Sequence, residues 1–103
     1  MSSKSKAKGN RFERLCVELA KSEGLEAQRA WGSDGRSMGE HSEVDIKIES
    51  YKAQCKTRKR IAKWIKPGKE VDVQLVKEDY GEVFAILTLE KWLEIVKYLQ
   101  AQK

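Results

Sequence analysis

Three side chains suited to phosphodiester chemistry fall in one short stretch, EVDIKIESYKAQCKTRK, at residues 43–59. Alternate side chains of a β-strand share a face, and the stretch alternates apolar and polar residues on both sides of a turn near 49–50. If the two halves pair as a hairpin, their apolar faces lie on one core. Asp45, Gln54 and Lys56 then fall together on the opposite face, as either a metal site or an ordinary solvated surface.

The chemistry that these residue types could perform is metal-assisted hydrolysis of a phosphodiester. Asp45 can hold Mg2+ while leaving positions for water, with the amide of Gln54 and the backbone carbonyl of Cys55 as neutral oxygen ligands. Lys56 can stabilise the charge of the transition state or orient the attacking water. A second acid is needed, and Glu13 is the candidate if its helix packs across the sheet edge.

The periodicity of the chain predicts the elements that must position these residues. A helix at 9–22 stops at Gly24 and carries an apolar stripe at helical spacing, made of Phe12, Leu15, Cys16, Leu19 and Ala20. The complete order is α-β-β-β-α-β-β-α, which indicates an α/β domain with one mixed central sheet flanked by helices. The later elements are a strand at 25–31, the hairpin at 43–56, a short helix at 58–66, a strand at 71–76, a buried strand at 83–89 and a final helix capped by Thr88.

Length and composition indicate one domain with a basic tail. The chain has 103 residues, enough for a single modest core. Residues 1–8 are small, polar and basic, which predicts disorder, and leaves 9–103 as the single domain. The net charge of +5 and a pI near 9.2 mildly favour a polyanionic partner.

Other sequence features bear on the compartment. Two cysteines, Cys16 and Cys55, are too few for a disulfide framework and are expected to be reduced core thiols. No apolar run approaches the roughly 20 residues of a membrane span, and no hydrophobic signal region begins the chain. These features predict a cytoplasmic protein. The only histidine, His41, is favoured as a loop residue over a general base.

The first helix, the loop and the hairpin together resemble a known nuclease superfamily. KGNRFER in the helix, a loop rich in glycine and serine, Asp45 and then QCK at 54–56 resemble the PD-(D/E)xK nucleases, with spacing most similar to archaeal-type and phage Holliday junction resolvases. The resemblance implies a restriction-endonuclease-like fold, with Glu13 and Asp45 as metal ligands and Lys56 as the catalytic lysine. It also implies that Ser33 takes the place of a serine that assists the site.

The resemblance further implies a homodimer that uses Mg2+ or Mn2+ to make paired nicks in four-way DNA junctions. The chain departs from the resolvases at the hairpin acid, which is Gln54, and at the residue before Asp45, which is Val44 rather than proline. Glutamine at the first of these positions is common in Mrr-like restriction endonucleases. Two alternatives therefore stay open: a restriction- or nicking-type nuclease on linear duplex DNA, and a catalytically inactive DNA-binding module.

Basic side chains at several places are candidates for contacts with DNA phosphates, and such contacts predict binding that weakens steeply with salt. The strongest candidate is the segment RKRIAKWIK at 58–66, although a solvated charged face is an equal interpretation. The candidate contacts are Lys8, Arg11, Arg29, Arg36, Lys59, Arg60 and Lys63.

Overall fold

The computed structural model describes residues 2–30 and 34–103, with side chains from residue 6 onward in those ranges. The chain forms two compact units, Met1–Thr57 and Arg58–Lys103, where the sequence analysis expects one domain. It is a mixed α/β protein with two helices and two small antiparallel sheets.

The first unit packs one long helix on a three-stranded sheet. Helix α1 begins at Ser2 and so extends across residues 2–8, for which the composition predicts disorder. It packs against the sheet at β1 and β2, and the strand order is β1-β2-β3, antiparallel throughout. The elements are α1 (Ser2–Ser22), β1 (Ala27–Arg29), a 3₁₀ turn (Gly35–Met38), β2 (Ile46–Ile48) and β3 (Tyr51–Ala53).

The buried face of α1 is rotated from the predicted apolar stripe. Glu13, Cys16, Val17 and Ala20, at helical spacing, are all less than 9% exposed. Leucines that the stripe would bury are instead exposed, Leu15 to 50% and Leu19 to 41%. The predicted stripe is therefore confirmed at Cys16 and Ala20 and wrong at Leu15 and Leu19, and the charged side chain of Glu13 lies inside the helix–sheet interface.

The hairpin is confirmed. Strands β2 and β3 pair antiparallel, with Ile48 opposite Tyr51 and a turn at residues 49–50. The burial of side chains alternates through 44–48 and 51–57, so the apolar positions face α1 and the polar positions face away. At the turn, Glu49 adopts a left-handed φ of 54°, and its carboxylate accepts a hydrogen bond from the Glu26 N–H at 2.7 Å.

The second unit differs from the prediction in three ways. The segment 58–66 contains only a 3₁₀ turn at Lys63–Ile65, because a short run of like charges at helical spacing opposes a helix. Its strands, β4 (Gln74–Lys77) and β5 (Val83–Ile86), form a separate antiparallel pair, so the single mixed sheet is not found in the described residues. Strand β5 is not buried, since Phe84 is 55% exposed.

The last helix agrees with its prediction. Helix α2 (Leu89–Ala101) begins after Thr88, whose side chain accepts a hydrogen bond from the Lys91 N–H at 3.1 Å. Leu93 and Val96 are buried, whereas Ile95 is 43% exposed.

Gly35 holds the loop before β2 tightly folded. A Cβ at this position would collide with the carbonyl oxygen of His41 and lie 2.8 Å from that of Val44. Both atoms belong to the backbone, so neither can swing aside as the end of a flexible side chain would. The loop therefore depends on a residue without a side chain.

We expect Gly35→Ala to lower the free energy of unfolding by about 1–3 kcal/mol, because the added methyl group forces the loop backbone apart. Urea denaturation followed by circular dichroism measures the change. Gly9→Ala is the matched control: no atom lies within 4 Å of its Cβ, and the change within a helix raises stability by about 0.5–1 kcal/mol. Equal stability of Gly35→Ala and the unaltered protein would contradict the prediction.

Candidate functional site

Asp45 lies immediately before β2, where the pairing with β3 shifts by one residue. The register of the strands would pair Asp45 with Gln54, yet the Asp45 N–H donates a hydrogen bond to the carbonyl of Ala53 at 2.9 Å. Ala53 is already the partner of Ile46. Two residues of one strand therefore face one residue of the other, which is a β-bulge, a feature that re-aims side chains and is frequent beside active sites.

The carboxylate of Asp45 joins the two halves of the predicted site. Its Oδ2 atom accepts a hydrogen bond from the backbone N–H of Cys55 at 2.7 Å, and its other oxygen accepts none from the described residues. Asp45 is half-buried, while Gln54 and Lys56 on either side of Cys55 are exposed. The structure thus brings Asp45 against the QCK segment, with the polar side chains of that segment directed to solvent.

Glu13 lies in a buried ion pair rather than at an open surface. Its residue is 4% exposed, and its Oε1 atom lies 3.2 Å from Nε of Arg29 on β1. The two side chains differ in burial, because that of Arg29 is 23% exposed and that of Glu13 is 6% exposed. Any metal ion that bound Glu13 would have to compete with this guanidinium.

Two thiols lie between the carboxylates. A hydrogen bond between the side chains of Cys55 and Cys16, together with burial, raises the pKa of the Cys55 thiol, and the nearby charges of Asp45 and Glu13 raise it further. Both carboxylates therefore act on one group, although they belong to different elements. Cys16 and Cys55 are free thiols, as the sequence predicts.

The described residues supply few acidic ligands. Within 2–30 and 34–103, no three His, Cys, Asp or Glu side chains cluster closely enough to hold a metal ion. A cation at Asp45 would draw its other protein ligands from the amide of Gln54 and the carbonyl of Cys55. Such a set fits Mg2+, which commonly binds one or two carboxylates together with substrate phosphates and water.

Two lysines on the polar face of the hairpin, Lys47 and Lys52, already form ion pairs. Lys47 and Lys52 lie opposite each other across the strands, and both pair with Glu40, at 3.0 and 3.1 Å. The hydrogen bonds from Lys47 and Lys52 lower the pKa of the Glu40 carboxyl, and the bond from Lys47 has the larger effect. Glu40 thereby offsets the repulsion between two like charges and fastens the preceding loop to the sheet.

The loop holds two further predicted residues. Ser33 lies outside the described residues. Arg36 forms a two-atom pair with Asp34, and its guanidinium lowers the pKa of that carboxyl to about 2. His41 is exposed and accepts a hydrogen bond at Nδ1 from the Glu43 N–H at 3.1 Å, which agrees with a role in loop structure.

A small open cavity of about 200 Å³ lies beside Gln54. The cavity has room for part of a substrate. Its lining combines basic and amide side chains with one carboxylate and consists of His41, Glu43, Val44, Lys52, Ala53 and Gln54.

The second unit carries a separate basic cavity of about 430 Å³. Three of the predicted phosphate contacts, Lys59, Arg60 and Lys63, line it together with Arg58, Ile61 and Lys66. None of the lysines among them, nor Arg60, pairs with a carboxylate of the described residues. The remaining predicted phosphate contacts divide: Lys8 and Arg11 are exposed on α1, whereas Arg29 and Arg36 are held in ion pairs.

Sequence reasoning missed two partners. The sequence predicts Arg29 as a contact with DNA phosphates. A lone arginine on a short strand whose neighbours face the core is also a candidate partner for a buried acid. Glu40 carried no signal at all, because its role depends on a loop path that no periodicity describes.

We expect Arg29→Gln to lower the free energy of unfolding by about 3 kcal/mol, since it removes the guanidinium charge that lies beside the buried Glu13 carboxylate. Glu13→Gln should cost less, because the partly exposed Arg29 can turn toward water. Urea denaturation of both variants and of the double variant gives the coupling energy. Equal costs for the two single variants, or a coupling energy near zero, would contradict the interpretation of a buried pair.

No helix within the described parts of the chain is long and apolar enough to cross a membrane.

Comparisons of the chain with protein-family models, with curated proteins and with solved structures found no match. The function of the Asp45 site is therefore argued from its own residues.

Proposed function

We propose that this protein is a metal-dependent DNA endonuclease of the PD-(D/E)xK type that selects four-way junctions. The observation that carries the proposal is the 2.7 Å hydrogen bond from the Cys55 N–H to Asp45. It joins the half-buried carboxylate of Asp45 to the segment that supplies Gln54 and Lys56. A carboxylate, a neutral oxygen and a lysine are the parts that phosphodiester hydrolysis needs.

Each residue has a distinct role in this proposal. Asp45, the amide of Gln54 and the carbonyl of Cys55 hold Mg2+ or Mn2+, which when bound neutralises phosphate charge and supplies an activated water. Lys56 stabilises the negative charge that develops on the phosphate oxygens. Glu13 contributes as a second acid only if Arg29 releases it.

The distribution of charge supports DNA as the substrate. The segment 58–69 contains six basic residues and no acidic one, so the rest of the chain has fifteen basic against sixteen acidic residues. The positive excess of the whole protein thus lies in the segment that lines the basic cavity. Trp64 in this segment is 69% exposed, and an exposed aromatic ring among cations is typical of nucleic-acid surfaces.

Paired nicks in a junction require two sites, and hence a homodimer in this proposal. Exposed apolar side chains on α2 support it: Ile95 is 43% exposed, Tyr98 65% and Leu99 40%.

A second candidate function is a DNA-binding module without cleavage. The observation that favours it is the Glu13–Arg29 pair, because it leaves Asp45 as the only carboxylate of the candidate set not held in an ion pair. This module would bind DNA through the same basic segment, and Mg2+ would change nothing.

We expect Asp45→Asn to reduce Mg2+-dependent cleavage of a labelled four-way junction by at least about a hundredfold, because it removes the charge that holds the cation. The asparagine oxygen can still accept the Cys55 hydrogen bond, so the fold and DNA binding should persist. Asp79→Asn, on an exposed carboxylate of the second unit, is the matched control and should cleave normally. Cleavage by Asp45→Asn at the rate of the unaltered protein would refute the assignment.

The basic cavity predicts a salt-dependent DNA interaction. We expect replacement of Lys59, Arg60, Lys63 and Lys66 by glutamine to make the plot of log affinity against log salt shallower by up to about 3.6, because each phosphate contact contributes roughly 0.9. Fluorescence anisotropy of a labelled duplex in EDTA measures this without cleavage.

The matched control for that variant removes the same charge elsewhere. Glutamine at Arg14, Lys21, Lys77 and Lys103, all exposed, should leave most of the salt dependence in place. An equal loss in both variants would mean that net charge, and not the cavity, governs binding.

A further inference from the structure

Trp64 is an exposed tryptophan within the basic segment, which is defined here as residues 58–66 of the second unit. The residue is 69% exposed, whereas Trp92 on α2 is half-buried. Tryptophan carries a large apolar side chain, and most of its surface is normally covered in a folded domain. The described residues of the chain thus leave a large aromatic area of Trp64 open to a ligand.

The backbone that carries Trp64 is held in place. The 3₁₀ turn Lys63–Ile65 is closed by two backbone hydrogen bonds, of 3.1 and 3.2 Å. The side-chain amide of Gln74 on β4 donates a further hydrogen bond to the carbonyl of Trp64 at 3.1 Å. A group on a fixed backbone loses less conformational entropy when it binds a ligand. The exposed ring is therefore presented to solvent by an ordered turn.

Basic side chains lie on both sides of Trp64 along the chain. The basic segment contains five basic residues and no acidic one. Lys59, Lys63 and Lys66 are exposed, and they line the cavity of about 430 Å³. Because these lysines pair with no carboxylate of the described residues, their charges are available to a polyanion. The surface thus offers an aromatic ring together with several cations.

The basic segment has the wrong shape to read a groove of duplex DNA. The major groove of B-DNA admits an α-helix or a two-stranded β-ribbon, whereas this segment, all of which the structure describes, contains a single 3₁₀ turn. In a duplex the faces of the bases are stacked on one another, so a ring reaches them only by unstacking a base step. An unpaired strand exposes its base faces, and an aromatic ring can stack on any of them.

We propose that the basic segment binds unpaired strands of DNA, with the ring of Trp64 stacked on a base and the flanking lysines in contact with phosphates. The inference rests on the proposed function for DNA as the partner, and it requires no cleavage. Stacking involves no ion pair, whereas each phosphate contact releases counterions. The ring and the lysines therefore contribute to binding in ways that the salt dependence separates.

The test is fluorescence anisotropy of the full chain in EDTA with a labelled oligothymidylate of about 16 nucleotides, near the upper limit for one small single-strand-binding fold. We expect Trp64→Ala to weaken binding about tenfold to a hundredfold, because a stacked base loses its platform. The slope of log affinity against log salt should stay unchanged, because the phosphate contacts remain. Trp64→Phe should recover most of the affinity.

Two controls separate stacking from a change in structure. An abasic oligomer of the same length keeps the phosphates without the bases, so Trp64→Ala and the unaltered protein should bind it equally. Tyr80→Ala removes another fully exposed aromatic side chain of the second unit, one that lies among acidic residues. This variant should bind oligothymidylate as the unaltered protein does.

The remaining results each decide a part of the proposal. Equal affinity of Trp64→Ala and the unaltered protein for oligothymidylate would overturn the stacking role. An equal loss of affinity for oligothymidylate and for a duplex would identify the ring as a wedge between paired bases, and would overturn the preference for unpaired strands. Tighter binding of oligouridylate than of oligothymidylate would overturn DNA as the partner.

Failure of this inference is distinct from failure of the proposed function. Binding of single strands through Trp64 without cleavage of a four-way junction would refute the nuclease and leave the inference standing. Cleavage of the junction by a protein whose single-strand affinity does not depend on Trp64 would do the reverse.

Discussion

The ion pair between Glu13 and Arg29 is the constraint on which the first unit depends. A charged pair inside a helix–sheet interface costs desolvation and is stable only when both partners are present and well placed. Here it lies on the face of α1 that meets the sheet, together with Cys16, while Leu15 and Leu19 face solvent. The orientation of the helix in turn decides which residues can approach the end of β3.

The candidate site is a consequence of that orientation. Cys16 lies on the face of α1 that meets the sheet, and the backbone N–H of Cys55 donates a hydrogen bond to Asp45. The bulge before β2 supplies the other condition, since it turns the Asp45 carboxylate toward the neighbouring strand. Asp45 thus lies close to the buried face of α1. Substitutions on that face can therefore alter the position of the Asp45 carboxylate.

The sequence predicted those features that depend on local patterns. The alternation of apolar and polar residues predicted the hairpin and its two faces, and Thr88 predicted the start of α2. The rotation of α1 could not be predicted, because helical spacing favours the apolar residues and gives no weight to a partner such as Arg29 on another element. The prediction of a helix at 58–66 was wrong for a related reason. Repulsion among the basic side chains of this segment outweighs the contribution of its short apolar stripe. The bulge at Asp45 is a shift of one residue that no alternation reveals.

The central claim, that the groups around Asp45 cut DNA with a metal ion, is tested most directly on the unaltered protein. A labelled four-way junction and a linear duplex with the same arms are incubated with Mg2+ or with EDTA. The proposal predicts symmetric nicks in the junction, only with Mg2+, and little cutting of the duplex. Tight binding of both DNAs without cleavage, in Mg2+ and in Mn2+, would contradict it and identify the protein as a DNA-binding module.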